Sequence, residues 1–240
     1  MVSKKDLIKY LVERLGGCFS TELGIDLRSA SSAALSSWFL ASILFGARIS
    51  ETIAKNTYRV FAEKRVITPQ AILDTGWDGL VRLLDEGGYV RYDFKTATKL
   101  LEVMGSLIAE YRGELNELHR RATDSDDLER RIISLGKGIG KTTTYIFLRE
   151  LRDIWEKAAS PPNELVIIPA KRLGLVKSEE PKVALSELRG YFSPGGEVSL
   201  RFADFEAALI RLGKGYCRKG RCSPCPMRAE CLYLKESKDG

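Results

Sequence analysis

Four of the five cysteines lie close together near the C-terminal end of the sequence, at a spacing suited to holding an inorganic centre. They are Cys217, Cys222, Cys225 and Cys231, in the pattern C-x4-C-x2-C-x5-C. Soft thiolate ligands suit iron–sulfur clusters or zinc. Zinc sites usually use two separated C-x2-C pairs, often with histidine, whereas this segment has one such pair and the single histidine, His119, is distant. The cysteines therefore predict a 4Fe–4S cluster, with zinc, or no metal, as the alternatives.

Disulfides among these cysteines are a poorer interpretation, because the Cys222–Cys225 spacing is tight and we expect a reducing compartment. Cys18 stands apart from the four and is expected to be a small buried apolar residue instead of a ligand.

A second segment, residues 135–143, combines closely spaced glycines with lysines and threonines in the sequence LGKGIGKTT. A nucleotide-binding phosphate loop needs a glycine, four residues, and then Gly-Lys-Ser/Thr. Counting back from Gly140, that first glycine falls on Leu135, and a helical pattern precedes the segment where a buried strand is needed. Nucleotide hydrolysis is therefore the weaker alternative for this segment.

The same residues match a helix-hairpin-helix, in which one amphipathic helix ends near Ser134 and the next begins at Lys141. Glycines allow the backbone to approach a ligand closely, and the free amides of a helix N-terminus bind anions. A DNA phosphate is the expected anion, and such a contact carries no base sequence. The predicted DNA-binding residues here are Lys137, Gly138, Gly140, Lys141 and Thr142.

Positive charge is concentrated beside the first cysteines. The chain has a formal charge of +6 and a pI near 9.0, and residues 211–222 carry five cations and no acid. A local patch of this kind neutralises phosphates and releases counterions. We expect Arg218, Lys219 and Arg221 to contact DNA, and a solvated surface loop is the alternative.

The elements that must position these residues are predicted to be helices. Apolar residues recur at helical spacing in several stretches, one of them Phe94, Ala97, Leu101, Met104 and Ile108. Only residues 165–168 resemble a strand, so the fold class is all-α with about ten helices. The uncharged stretch 29–47 contains six serines, which favours a buried core helix over a membrane span. No signal-peptide pattern is evident, so a cytoplasmic protein is expected.

The hairpin, followed about 75 residues later by the cysteine cluster, resembles the endonuclease III branch of the helix-hairpin-helix DNA glycosylases. Residues 36–46 and 53–61 look like that family's first two barrel helices, and residues 86–95 resemble the loop that wedges into the duplex. The resemblance implies a barrel lobe, residues 31–156, and a cluster lobe, residues 1–30 with 157–240. It also implies DNA bound across a cleft with a nucleotide flipped out of the stack.

Three positions depart from the family pattern. Thr142 stands where bifunctional members carry the nucleophilic lysine, and Pro169, or Lys171 in another register, stands where active members carry an aspartate. Ala47, beside Arg48, occupies the position of an inserted glutamine. The nearest carboxylates in sequence are Asp153 and Glu164. Losing the main stabiliser of a cationic transition state is expected to raise the barrier by several kcal/mol.

The resemblance thus predicts a base-excision-repair protein that binds damaged or abasic double-stranded DNA as a monomer near the nucleoid. The sequence identifies no catalytic residues and does not decide whether the protein has glycosylase activity. A non-catalytic DNA-binding or scaffold protein with the same fold is the second interpretation, and an enzyme that uses the phosphate-loop-like segment is the third.

Overall fold

The chain is all-helical in the computed structural model, which describes residues 3–192 and 200–236. Helices make up 67% of the structure and the described residues contain no strand, which confirms the predicted all-α class. In chain order the α-helices of the described residues are α1 (Lys4–Leu15), α2 (Phe19–Glu22), α3 (Ser32–Phe45), α4 (Glu51–Glu63), α5 (Pro69–Glu86), α6 (Asp93–Tyr111), α7 (Leu115–Arg121), α8 (Ser125–Ser134), α9 (Lys141–Arg149), α10 (Glu164–Arg172), α11 (Pro181–Gly190), α12 (Phe202–Gly215) and α13 (Leu232–Glu236).

Short polar side chains determine where many of these helices begin. Ser31, Ser50 and Asp124 lie at the N-termini of α3, α4 and α8, and each accepts a hydrogen bond from a backbone amide in the first turn. Such N-caps satisfy amides that have no partner within the helix. These helix starts therefore follow directly from local sequence.

The chain divides into two compact units. The cysteine unit consists of Met1–Phe19 with Pro161–Gly240, and the hairpin unit is Ser20–Ser160.

Helix α3 forms the centre of the hairpin unit, where it packs against α4, α7 and α9. Its residues 35–44 are all buried, and the Trp38 indole Nε1 donates to the Phe147 carbonyl oxygen at 3.0 Å. The uncharged stretch is therefore a core helix, as predicted. In the described part of the chain, every helix is too short or too polar to cross a bilayer.

Helix α12 is the central element of the cysteine unit, with α1 and α10 packed against it. Residues 165–168, whose composition resembles a strand, form the first turn of α10, where the Asn163 side chain accepts from the Leu165 amide at 3.0 Å. Pro169 lies inside this helix and is buried. It has no amide to donate to the Leu165 carbonyl, so that oxygen lacks its usual helical partner.

Gly213 of α12 lies directly against that carbonyl. A Cβ at position 213 would overlap the backbone of Leu165. The close contact between α10 and α12 therefore depends on the absence of a side chain at Gly213.

Candidate nucleic-acid interface and cysteine loop

The hairpin, residues 135–140, joins α8, which ends at Ser134, to α9, which begins at Lys141, as predicted. Its Ile139 side chain is only 4% exposed and anchors the turn in the core. Helix α6 contacts the turn, since the Lys137 amide donates to Glu102 Oε1 at 2.8 Å. A Cβ at Gly136 would lie 2.7 Å from the Val103 side chain. The hairpin is therefore fixed by packing against α6.

The outer side of the hairpin presents backbone amides without partners. Among the described residues, no acceptor is found for the amides of Gly138, Gly140, Lys141 and Thr142, and the first helical bond of α9 runs from the Thr144 amide to the Gly140 carbonyl at 3.1 Å. Gly140, the residue before α9, provides no side-chain cap. All four residues are exposed. Together they form a set of free donors that an anion can satisfy.

Gly138 has a backbone conformation that favours glycine. Its φ is +90°, and a Cβ there would lie 2.8 Å from the Lys99 Cε atom. A side chain at this position would therefore be strained and would push Lys99 aside. Gly140 differs, because its φ is −126° and a Cβ would meet nothing within 4 Å.

A pocket of about 880 Å³, here called the hairpin pocket, lies beside the hairpin within the same unit. Its wall includes Lys137 and Gly138 of the hairpin, the turn after α3 and the start of α6. Its lining residues include Ala47, Arg48, Trp77, Tyr92, Phe94, Lys95, Lys99, Glu102 and Lys137. The pocket thus joins three segments that the family resemblance assigned to DNA contact.

The hairpin pocket is strongly cationic. Arg48, Lys95, Lys99 and Lys137 line it, whereas Glu102 is its single acidic lining residue. Within the described parts of the chain, none of these four cations forms a side-chain hydrogen bond or ion pair. Burial lowers the pKa of Lys99, and its ammonium has no anion to offset the loss of solvent. The pocket therefore carries positive charge that its own residues leave largely unneutralised.

Two contacts fix the loops around the pocket. A Cβ at Gly46 would overlap Thr143 of α9, so the turn after α3 lies against the start of the second hairpin helix. On the other side, the buried Tyr89 hydroxyl donates to the Leu44 carbonyl at 3.2 Å, and burial raises the pKa of Tyr89 to about 12. The loop that resembles a wedge is therefore anchored to α3 by a neutral phenol.

The cysteine loop, residues 217–231, is built from a series of tight turns. The Cys225 amide donates to the Cys222 carbonyl at 3.3 Å and the Arg228 amide to the Cys225 carbonyl at 3.1 Å, and Gly220 has a φ of +62°. Buried Met227 anchors the middle of the loop, and Arg172 donates to the Cys217 carbonyl at 3.2 Å. The four thiols are partly exposed and unbridged, whereas Cys18 is buried, as predicted.

The four thiols are close enough to affect one another electrostatically. Burial raises the pKa of Cys217 to about 11, opposed by Arg172, with a further increase from Cys225 and Cys231. The pKa of Cys225 is also raised, mainly by burial and in addition by Cys231 and Cys222. Within residues 3–192 and 200–236, however, no three His, Cys, Asp or Glu side chains are grouped tightly enough to hold a metal ion. Four thiols are suitable ligands for a metal centre, but in this structure they are not arranged to bind one together.

The cations beside the cysteines fall into two groups. Arg211 is part of the fold, because it donates to the Gly17 carbonyl and stacks on the Phe19 ring at 4.0 Å. In contrast, Arg218, Lys219 and Arg221 are exposed and have no side-chain partner among the described residues. These three are the cations that the sequence predicts to contact DNA, and Lys214, the remaining cation of residues 211–222, is exposed as well.

The positions matching the family's catalytic residues provide no carboxylate or amine of the usual kind. Thr142 is exposed at the start of α9. Pro169 is buried inside α10, and Lys171 is paired with Glu179. Asp153 and Glu164 are both exposed. The structure therefore offers no direct replacement for the missing side chains at those positions.

Sequence reasoning singles out no individual role for three residues of the hairpin pocket. The apolar periodicity places Phe94 in a core stripe, although it also lies in the wedge-like loop 86–95, and it is 58% exposed. Trp77 follows Gly76, whose φ of +66° and ψ of 172° break α5, and it is 39% exposed. Lys99 carried no signal because lysine on a helix is usually solvated. The glycine before Trp77 was the one available hint.

No protein-family model matches the sequence, and no curated protein matches it at a significant level of similarity.

Proposed function

We propose that this protein binds double-stranded DNA through the hairpin and the cationic pocket beside it. The observation that carries the proposal is the set of four exposed, unpartnered amides at Gly138, Gly140, Lys141 and Thr142. Four such donors at a helix N-terminus match the oxygens of a backbone phosphate. Arg48, Lys95, Lys99 and Lys137 lie nearby, and none of them is paired with an anion among the described residues.

The biological setting that best accounts for these features is base-excision repair by a protein resembling endonuclease III. The resemblance rests on the order of the hairpin and the cysteine loop along the chain. It is supported by the grouping of Ala47, the wedge-like loop and the hairpin around one pocket. In this proposal the DNA is damaged or abasic, and the protein acts as a monomer at the nucleoid.

A 4Fe–4S cluster held by Cys217, Cys222, Cys225 and Cys231 is part of the proposal. The cluster would supply a cross-link for the loop, which otherwise has few contacts with a hydrophobic core. Arg218, Lys219 and Arg221 lie within the same loop, and so fixing the loop would also orient three exposed cations for phosphate contacts. No catalytic step is assigned to the cluster.

A non-catalytic DNA-binding or scaffold function is the second candidate. The observation that favours it is the replacement of both expected catalytic side chains, with Thr142 at one position and buried Pro169 at the other. A proline carries no group that stabilises a developing cation. This candidate shares the proposed DNA interface and differs only in the absence of base release.

Fluorescence anisotropy with labelled duplex DNA tests the interface. The logarithm of the affinity is expected to fall linearly with the logarithm of salt concentration, as counterion release requires. Arg59 is an exposed cation of α4 outside the pocket, so Arg59→Ala is a matched control that should leave the slope unchanged. Salt-independent or undetectable binding would disprove the proposal.

A base-release assay over a panel of damaged and abasic duplexes separates the two candidates. Release of a base, or borohydride trapping on an abasic duplex, would establish an enzyme. Both measurements are needed because a glycosylase without lyase activity forms no trappable Schiff base. Binding without base release or trapping would favour the scaffold function.

A further inference from the structure

Two large aromatic side chains are exposed on the wall of the hairpin pocket. Trp77 is 39% exposed and Phe94 is 58% exposed, and their ring centroids are 5.2 Å apart with an interplanar angle of 43°. Exposed aromatic pairs are uncommon on a surface that binds nothing, since burying them would be favourable. The pair, here called the aromatic shelf, indicates a ligand with a flat apolar face.

The aromatic shelf is held in place before any ligand arrives. The Trp77 Nε1 atom donates to Thr98 Oγ1 at 3.1 Å, and that hydroxyl donates to the Phe94 carbonyl at 3.0 Å. The break in α5 at Gly76 comes immediately before Trp77. Because the indole is tied to the backbone of α6, less side-chain entropy remains to be lost on binding.

The cations that line the same pocket would attract a ligand with negative charge. Lys99 is half-buried beside Gly138, and Arg48, Lys95 and Lys137 are exposed around it. The pocket volume of about 880 Å³ is within the range of sites that enclose small organic ligands. A flat ring next to a phosphate is the chemistry of a nucleotide.

We propose that an unpaired nucleotide of a DNA strand stacks on the aromatic shelf while the neighbouring lysines and Arg48 bind its phosphates. This inference rests on the proposed DNA binding and specifies which DNA the face selects. An intact duplex keeps its base faces stacked on one another, so only an unpaired or displaced base can reach Trp77 and Phe94. Base–aromatic stacking tolerates every base, so selection is for an unpaired state and not for sequence.

Tryptophan fluorescence gives a direct test, independent of enzymatic activity. The chain has three tryptophans, and the other two are buried, with Trp38 at 0% and Trp155 at 3% exposure, so quenching by a base reports Trp77. The probes are a paired duplex, the same duplex with a single-nucleotide bulge, and the bulged strand alone. The bulged duplex is expected to quench the emission and to bind about tenfold more tightly than the paired duplex.

Two substitutions and a control sharpen the test. Trp77→Ala should remove the preference for the bulged duplex, and Trp77→Phe should keep much of it while losing the fluorescence response. Tyr233 is a comparably exposed aromatic in the cysteine unit, at 48%, so Tyr233→Ala should leave the ratio of the two affinities unchanged. Circular dichroism checks that each variant keeps its helices.

The outcomes distinguish this inference from the function on which it rests. Equal, salt-dependent binding of the paired and bulged duplexes without quenching would overturn the aromatic shelf as a nucleotide site and leave the proposed DNA binding intact. Binding of the single strand with no duplex binding would support the shelf and overturn the proposed function. Failure to bind all three probes would overturn both.

Discussion

The hairpin and the cysteine loop are both short, glycine-containing and cationic, but the structure stabilises them differently. The hairpin is fixed by ordinary packing, with Ile139 buried and the Lys137 amide bonded to Glu102. The cysteine loop is held mainly by its own turns, by Met227 and by Arg172. One segment therefore gets its shape from the core, whereas the other gets it from local turns and two anchoring side chains, to which the proposed cluster would add a cross-link.

The largest expected effect comes from removing a cysteine of the loop. Cys225→Ser should abolish the broad absorbance at about 400 nm of a 4Fe–4S protein and lower the melting temperature by roughly 10 °C, since the energy of binding a structural metal centre contributes to folding. Absorbance spectroscopy, iron analysis and calorimetry measure these changes. Cys18→Ser should keep the colour. A colourless wild-type protein with stoichiometric zinc would contradict the cluster.

The next effect tests whether packing alone holds the hairpin. Ile139→Ala removes a buried side chain and should reduce the free energy of unfolding by about 2–5 kcal/mol. Chemical denaturation of the hairpin unit within the whole protein measures the loss. Lys141→Ala, an exposed neighbour, should change stability by less than about 0.5 kcal/mol. Similar losses of unfolding free energy in the two variants would show that burial of Ile139 does not anchor the hairpin.

Substitution of the hairpin glycines separates the interface from the fold. Gly138→Val and Gly140→Val should each weaken duplex binding about tenfold or more while helical content stays near normal, because a side chain blocks approach of the phosphate. Gly138→Val should also cost about 1–3 kcal/mol of stability at its positive φ, a cost that Gly140→Val lacks. Gly105, within α6 and with open space around it, gives Gly105→Ala as the control. Unchanged affinity in both valine variants would remove the hairpin from the interface.

The smallest effects are expected from single cations. Lys137→Ala should weaken duplex binding a few-fold and reduce the magnitude of the salt slope by about 0.9, the value for one phosphate contact. Arg218→Ala in the cysteine loop should do the same only while the loop holds the proposed cluster. Anisotropy titrations over a range of salt concentrations measure both variants. If Arg218→Ala had its full effect in the absence of iron, the loop would not depend on a cross-link.

The sequence predicted the positions of helices better than it predicted the hairpin pocket that several of them line. Amphipathic periodicity and the glycines predicted that α8 ends at Ser134 and that α9 begins at Lys141. The lack of charge in α3 predicted its burial. Local patterns determine these features. Residues 165–168 show the limit of local patterns, because a run of β-branched and apolar residues before a proline resembles a strand, whereas tertiary packing and the Asn163 cap make it a helix.

The pocket was harder to predict because it is assembled from distant segments. Phe94 lies at helical spacing with core residues, but the start of α6 extends beyond the apolar surface that covers its later turns. Lys99 and Arg48 become neighbours of the hairpin only through packing of α3, α6 and α9. Separation along the chain hides such groupings from any analysis of spacing alone.

The buried proline in α10 has a consequence for attempts to engineer base excision into this scaffold. Pro169→Asp would install the carboxyl side chain that the resemblance to endonuclease III leads us to expect, but it would do so in a desolvated helical turn. The free Leu165 carbonyl would regain an amide partner, while the new carboxylate would have to remain protonated or disrupt its surroundings. Engineering base excision would therefore require replacing the whole α10 turn that contains Pro169, together with the substitution Thr142→Lys.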